Sequence, residues 1–452
     1  MPVLQVDAGD MLAPRAVVSA REEQQRKIKA ELLIEATAAM GMDALAVGEG
    51  DLAFGLEWLK RMASKHSAPY ISANLRAEKG GALVFPATKI VKKGDLSLGL
   101  TSVTLETLSA NGGSFDDAAA ALKAAVATLK ESNVDFVVAL VHSTFDHAER
   151  LAVEVPGVDL MFTGHNRRHQ EDPIILGGTA ILEAGSRSKH VGEVRVDLRP
   201  GGQGWSDPAG RERIVRQKAQ LEKQLARYEK QIAAEENESA KSRVERVRTF
   251  TQKKLEDLVV PPEDSGEGHI LRGRRVPMSR DIPDDESMGK LVDSYLLLLG
   301  PGNSGNALRD AVTKMKSRPE IVKRDDYGDF VTARACMGCH AEEHTDWMKT
   351  PHARAWAALV KDGRQYDLDC WSCHVTGAGQ KGGPNGPGDV GPLKNVQCES
   401  CHGPGRQHAA APSKENIVKV PTEALCLECH TEEQTEGAFV HDEYLPKIDH
   451  KP

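Results

Sequence analysis

The sequence predicts a multidomain chain: a layered α/β sandwich first, a helical hairpin or short coiled-coil spacer next, and a small, mostly irregular module with short helices last. Three observations predict this. Up to about residue 200, short apolar runs alternate with amphipathic stretches. Over residues 211–258, charged residues and helix formers dominate, and the apolar positions step by three and four. In the last stretch of about 120 residues, two cysteines three apart followed by a histidine occur four times and use all 8 cysteines. A length of 452 residues suits two or three domains. The boundaries are read as 1–205, 206–260, 261–325 and 326–452.

In the first domain, Pro2–Val6, Ala44–Val47, Val134–Val141 and Val158–Phe162 read as buried strands, with Arg21–Met40 and Asp116–Glu131 as helices between them. Polar residues follow the strands: Gly9-Asp10, His142-Ser143 and Gly164-His165. Asp and His at strand ends assemble metal sites in many α/β enzymes, so Asp10, His142 and His165 are candidate ligands of a divalent ion such as Mn, Zn or Fe. Taken singly, His142 and His165 also suit a satisfied polar residue at a strand end. His66, His147, His190 and His269 read as surface or structural residues.

In the spacer, Leu221, Leu225, Tyr228 and Ile232 form an a/d seam, and Val244, Val247 and Leu255 resume a weaker stripe after a polar break at 237–242. A solvated spacer and a homodimer through the 211–258 helix both fit. Residues 259–285 carry Pro261-Pro262, Gly266 and Gly268 and read as a linker. Ser287–Leu299 reads as a helix ended by Pro301-Gly302-Asn303.

The repeated units are Cys336-Met337-Gly338-Cys339-His340, Cys370-Trp371-Ser372-Cys373-His374, Cys398-Glu399-Ser400-Cys401-His402 and Cys426-Leu427-Glu428-Cys429-His430. This spacing attaches c-type haem: two thiolates add to the vinyl groups and the adjacent imidazole binds iron. Zinc ribbons and disulfides do not demand the trailing histidine. Four covalent haems are therefore expected, with His340, His374, His402 and His430 as proximal ligands. The same region holds His344, His352, His408, His441 and His450, whereas its only methionines are Met337 and Met348, and Met337 lies inside an attachment motif and is poorly placed as a distal ligand. Most sixth ligands should be imidazole, which sets potentials below those of Met/His cytochromes. His344 lies one helical turn after His340 and points to the same side. Trp347, Trp356 and Trp371 suit packing either on the macrocycles or in an ordinary core. Gly379–Pro392 should be loop.

These residues resemble the tetrahaem cytochrome c-554 family. The matching features are Ala335 through His340, the Trp347…Thr350-Pro351-His352 segment, Cys373-His374-Val375-Thr376-Gly377, and Val396-Gln397 through Gly405. The resemblance implies closely stacked haems, mostly with two His ligands and in some members one five-coordinate iron. By position it favours His352, His408 and His450 as distal ligands. Residues 1 to about 200 resemble the metallophosphoesterase fold in its 5′-nucleotidase branch, through Gly9-Asp10, His142, Gly164-His165 and the Gly48…Asn74-Leu75 layout. The departures are several. The Asp-x-His block that should precede Asp10 is not seen, Glu49 stands for a metal-binding Asn, Gly50 stands for the leaving-group His, and Arg167 stands for a second His, with His169 shifted by two. The resemblance thus implies a hydrolase fold retained without hydrolysis. A live phosphohydrolase using Asp10, Glu49, His142 and His165 is the alternative.

The net charge of −8 gives no support for nucleic-acid binding, and no apolar stretch approaches the 18 residues of a membrane span. Residues 321–452 hold 14 Lys/Arg and 20 Asp/Glu, so a basic redox partner protein would be steered toward them. Covalent haem attachment implies export to the periplasm. Met1 to Asp7 reads as a strand rather than a targeting segment, so the expectation is a start downstream of the true one or a removed signal. The functional expectation is one-electron transfer through four haems behind a degenerate phosphoesterase-like domain. A haem enzyme reducing a small nitrogen or oxygen species at an open iron is a further alternative.

Overall fold

A computed structural model describes residues 2–20, 22–105, 108, 111–165, 173–183, 185, 188–206, 208–234, 241, 244–245, 248–249, 251–252, 255–256, 260, 268–279, 281–299, 327–384, 389–435, 439–448 and 450. It divides into two compact units, one of residues 1–17 and 37–282, the other of residues 18–36 and 283–452.

The first unit is built on a six-stranded mixed sheet. Its strands are β4 (Thr88–Lys93), β5 (Leu96–Thr104), β7 (Phe136–Ser143), β8 (Leu160–His165), β9 (Ile174–Leu176) and β10 (Thr179–Glu183), in the order β4-β5-β7-β8-β10-β9. The central four run parallel, and β4 and β9 close the edges antiparallel. Parallel strands need crossover helices, which cover both faces and select continuous apolar runs. β7 shows the result. Val137, Ala139 and Val141 pack with Leu122, Val126 and Leu129 of α3 (Ala118–Glu131) and with Phe145, Ala148 and Leu151 of α4 (Phe145–Glu154). Val138 and Leu140 face the other way, toward Ala44, Ala46, Ile71 and Leu271. α3 starts where the Asp117 carboxylate accepts from Ala120 N at 2.7 Å.

On that second face lie β1 (Val6–Asp7), paired in parallel with β2 (Ala44–Leu45), and a three-stranded sheet of β11 (His190–Asp197), β13 (His269–Pro277) and β12 (Trp205–Ser206). β3 (Leu75–Arg76) pairs with β6 (Ser114–Phe115), and α2 (Leu56–His66) buries Leu56, Leu59 and Met62. The α/β expectation for this region holds. The linker expected over 259–285 does not: it contains β13, which pairs along the whole of β11. Its arginines hid the strand. Arg272 pairs with Asp197 and Arg274 with Glu193 across the ladder, while Leu271, next to Arg272, is fully buried.

α5 (Pro208–Ala234) carries the seam residues Leu221 and Leu225, which are buried within this chain. Val247 and most of the 237–242 break lie outside the described residues, as do Pro301-Gly302-Asn303, Arg167 and His169.

The second unit holds α1 (Glu23–Ala39) up to residue 36, the helix Glu286–Leu299 and a set of short helices among turns. Its apolar cluster is small: Leu359, Trp371, Val375 and Val390, with Trp356 against it. Trp371 therefore packs in a core, its ring 6.1 Å from that of Trp356. Much of the remaining order comes from polar side chains bonding backbone. The Glu399 carboxylate accepts from Val331 N, Thr332 N and Gly405 N at 2.9, 2.8 and 2.7 Å. Gln397 accepts from Ala333 N and donates to the Pro392 and Lys394 carbonyls. These bonds tie the third cysteine pair to the helix that ends in Cys336. Residues 379–384 and 389–390 form turns and bends ahead of the short 3-10 helix Gly391–Leu393, and 385–388 lie outside the described residues.

Candidate functional site

Two groups of side chains carry chemistry, one in each unit. In the first unit, one oxygen of Asp10, one of Glu49 and one ring nitrogen each of His142 and His165 lie within 4.8 Å of one another. β7 delivers His142 and β8 delivers His165, and the two strands are parallel neighbours, so both imidazoles reach the same sheet end. Asp10 follows β1, and Glu49 follows β2 by four residues. Close backbone approach requires glycine here. A Cβ on Gly9 would stand 2.8 Å from both Gly48 N and His142 Nδ1, and φ of Gly9 is +95°. Asp10 and His165 themselves adopt left-handed backbone, at φ 63° and 87°, a strain that clusters at functional sites.

His142 is fully buried; its Nδ1 is bonded to Ala8 O at 2.8 Å, which leaves Nε2 facing Glu49 at 2.8 Å and Asp10 at 3.4 Å. Burial pushes His142 down, but the hydrogen bonds to Asp10 and Glu49 prevail and lift it to about 10. Burial pushes Glu49 up, yet the hydrogen bond to His142 and the close approach of the His165 imidazole hold its carboxyl far below the ordinary range. His165 Nδ1 lies 3.0 Å from Glu49 Oε1 but is not aligned as a hydrogen bond. Asp51, a residue the sequence reading did not single out, organises this corner. Its buried carboxylate accepts from Asp10 N, Leu12 N and Gly48 N at 2.9, 3.1 and 2.8 Å. Burial and the neighbouring Asp10 charge push it up to about 7. Two carboxylates and two imidazoles around one point fit a Zn-, Mn- or Fe-type ion. Gly50, where the family's leaving-group His would stand, offers no side chain to that point.

In the second unit, three imidazole pairs face each other. The ring centroids of His340 and His408 are 6.3 Å apart, those of His352 and His430 are 6.1 Å apart, and those of His402 and His450 are 5.8 Å apart. An imidazole nitrogen binds a first-row metal at about 2.0–2.1 Å, so two rings on opposite sides of one ion set their centroids about 6 Å apart. All three spacings fit an iron held between two imidazoles. Each pair joins a motif histidine to one of His352, His408 and His450. Among the described residues no second imidazole faces His374. His344 instead packs on Trp347, its ring centroid 5.3 Å away. The Nδ1 atoms of His374, His402 and His408 bond to the carbonyls of Ala355, Val418 and Ser413 at 2.7, 2.6 and 3.0 Å. That orientation leaves each Nε2 available to a metal.

The eight cysteines are free thiols set in neighbouring pairs of motifs. Cys336 is within hydrogen-bonding reach of Cys398, and Cys429 of Cys373; these contacts, followed by burial, push the Cys336 and Cys429 thiols up. Cys401 faces Cys426. The donor set therefore fits c-type haem throughout.

Comparison with known proteins agrees with both resemblances. Residues 335–403 match the family model of cytochrome c554 and c-prime, and residues 391–435 match that of the doubled CXXCH motif. The chain is 33% identical over 139 residues to a 5′-nucleotidase of Bos taurus, covering 28% of this chain and 24% of that protein. It is 33% identical over 140 residues to a 5′-nucleotidase of Homo sapiens, again with 28% and 24% coverage. The chain thus spans about a quarter of the length, 24%, of the curated relatives it matches. Among solved structures, a sulfate thiohydrolase, SoxB, of Thermus thermophilus aligns at TM-score 0.44 and 18% identity, over 65% of this chain and 42% of that one. A 5′-nucleotidase precursor from the same organism aligns at TM-score 0.43 and 16% identity, over 66% and 50%. No described helix is long and apolar enough to cross a membrane.

Proposed function

We propose that this chain is a periplasmic multihaem c-type cytochrome that passes single electrons along four covalently bound haems and carries a phosphoesterase-like domain without hydrolytic activity. The observation that supports this most is the set of three opposed imidazole pairs at 5.8–6.3 Å. Bound haem supplies one-electron chemistry. The chain supplies the rest: thiols that tether, paired imidazoles that fix the spin state, and a layout that brings the tethers close. Cys336 neighbours Cys398, Cys401 neighbours Cys426, and Cys429 neighbours Cys373. Read as a relay, that order runs from the first motif to the third, the fourth and then the second. On this reading the relay ends at His374, which no second imidazole faces among the described residues.

The test is a pyridine haemochrome count on the matured protein combined with a redox titration. Four haems per chain that titrate in one-electron steps below the Met/His range are expected. Fewer than four, or a Met-type potential, would sink the reading.

For the first domain we propose a single divalent-cation site of Asp10, Glu49, His142 and His165. Equilibrium dialysis against Mn²⁺ or Zn²⁺ should give one bound ion per chain. His142→Ala should weaken it by more than the roughly 10–100-fold typical of losing an outer-shell partner. Release of phosphate from 5′-AMP by the metal-loaded protein would contradict the non-hydrolytic reading.

A further inference from the structure

Residues 18–36 pack with residues 283–452, although the chain on either side of them belongs to the α/β unit. Three side chains of α1 in this segment converge on the residues that lead into the second Cys-x-x-Cys-His motif. Gln25 bridges the turn there: its Nε2 donates to Tyr366 O at 2.8 Å and its Oε1 accepts from Leu368 N at 2.7 Å. One carboxylate oxygen of Asp369 is paired with the Arg26 guanidinium, and the other lies 2.5 Å from Lys29 Nζ. The three charged side chains are 20–34% exposed, so the pairing is shielded relative to a surface ion pair.

Asp369 stands directly before Cys370, in the first turn of the helix Leu368–His374 that carries both tethers and the iron-binding imidazole. Asp367, nearly fully buried, caps that helix by accepting from Asp369 N at 3.1 Å. The far end of the helix is fixed by His374 Nδ1 on Ala355 O. The attachment helix is thus held at its start by α1 and at its end by its own ligand. Arg26 and Lys29 offset the Asp369 carboxylate there, while Glu22 also pairs with Arg26 and Asp367 lies 3.8 Å from the Arg364 guanidinium. Charge close to a haem biases its two oxidation states, because a nearby cation favours the reduced form.

Resting on the haem reading above, we propose that Arg26 and Lys29 are positioning residues for the haem tethered by Cys370 and Cys373: through Asp369 they lock its attachment helix, and by offsetting that carboxylate they keep the potential of the haem bound by His374 above what Asp369 alone would set. A segment outside the cytochrome-like region thereby tunes one particular haem of the four.

The test uses the full-length, haem-loaded protein and follows the midpoint potential of the haem whose spectrum responds to an added small ligand such as nitric oxide. Arg26→Met with Lys29→Met should lower that potential, Asp369→Asn should raise it, Lys29→Arg should leave it near wild type, and the other three haems should not move. If the double variant does not mature, the single Arg26→Met and Lys29→Met variants carry the same test with smaller shifts of the same sign. No shift, shifts of one sign in both the cation and the Asp369 variants, or equal shifts in all four haems would overturn the proposal. A pyridine haemochrome count separates the two layers. Fewer than four haems in the wild type defeats the cytochrome reading itself, whereas four haems without the opposed shifts defeats only the role of Arg26 and Lys29.

Discussion

In the α/β unit, β7 is buried on both faces and its five residues Val137 to Val141 reach 0–1% exposure, packed between two extended apolar clusters. In the second unit, which carries the cysteine motifs, the equivalent cluster is four side chains, Leu359, Trp371, Val375 and Val390, and order elsewhere comes from Gln397 and Glu399 bonding backbone. The first region is held by area removed from water, at about 25 cal/mol per Å². The second has little such area, so on the proposed reading it should depend on attached haem. The contrast teaches that stability and function are separated in one region and fused in the other. The α/β unit can lose its leaving-group side chain at Gly50 and keep its fold. On the proposed reading, the second unit should not keep its fold without haem.

The strongest way to break this comparison is to prevent attachment. Cys398→Ala with Cys401→Ala should remove one haem and abolish the compact form of the second unit, leaving the first intact. Limited proteolysis should then return a resistant fragment near residues 37–282. Digestion of both units together, or of neither, would show that the contrast is wrong. The mirror experiment is Leu140→Ala, which should cost the α/β unit about 2–5 kcal/mol, read by denaturant unfolding, while the haem spectra stay unchanged. A smaller effect is expected for Glu399→Gln. It retains shape but points an amide toward backbone N–H donors, costing about 1–3 kcal/mol in the haem-bearing unit, read as a lowered midpoint for loss of the Soret band.

The sequence was legible where chemistry is local. The cysteine spacing identifies its cofactor without any fold, because both thiols and the proximal imidazole lie within five residues. His142 and His165 were legible because a buried parallel strand is a continuous apolar run, and a polar residue that ends it sits at the end of the strand, where the loops gather. Glu49 was visible as a departure, since it stands where the resemblance puts an asparagine. Other features depend on distant pieces meeting. Which of His352, His408 and His450 faces which motif is decided by turns with little pattern of their own. Asp51 ends the Gly48-Glu49-Gly50-Asp51 stretch, but nothing local shows that it bonds three backbone donors from two loops. β13 was masked by its arginines, whose partners lie more than 70 residues away. The placement of α1 with the haem-bearing unit left one trace: Arg26 and Lys29 are three apart on one helix face, a pattern shared with any solvated helix.

Six of the imidazoles form three opposed pairs, and among the described residues His374 stands outside them. Electron paramagnetic resonance of the fully oxidised, four-haem protein tests this arrangement most directly. Three low-spin signals of two-imidazole type and one high-spin signal that collapses on adding nitric oxide are expected. Four low-spin signals, or more than one high-spin iron, would contradict it.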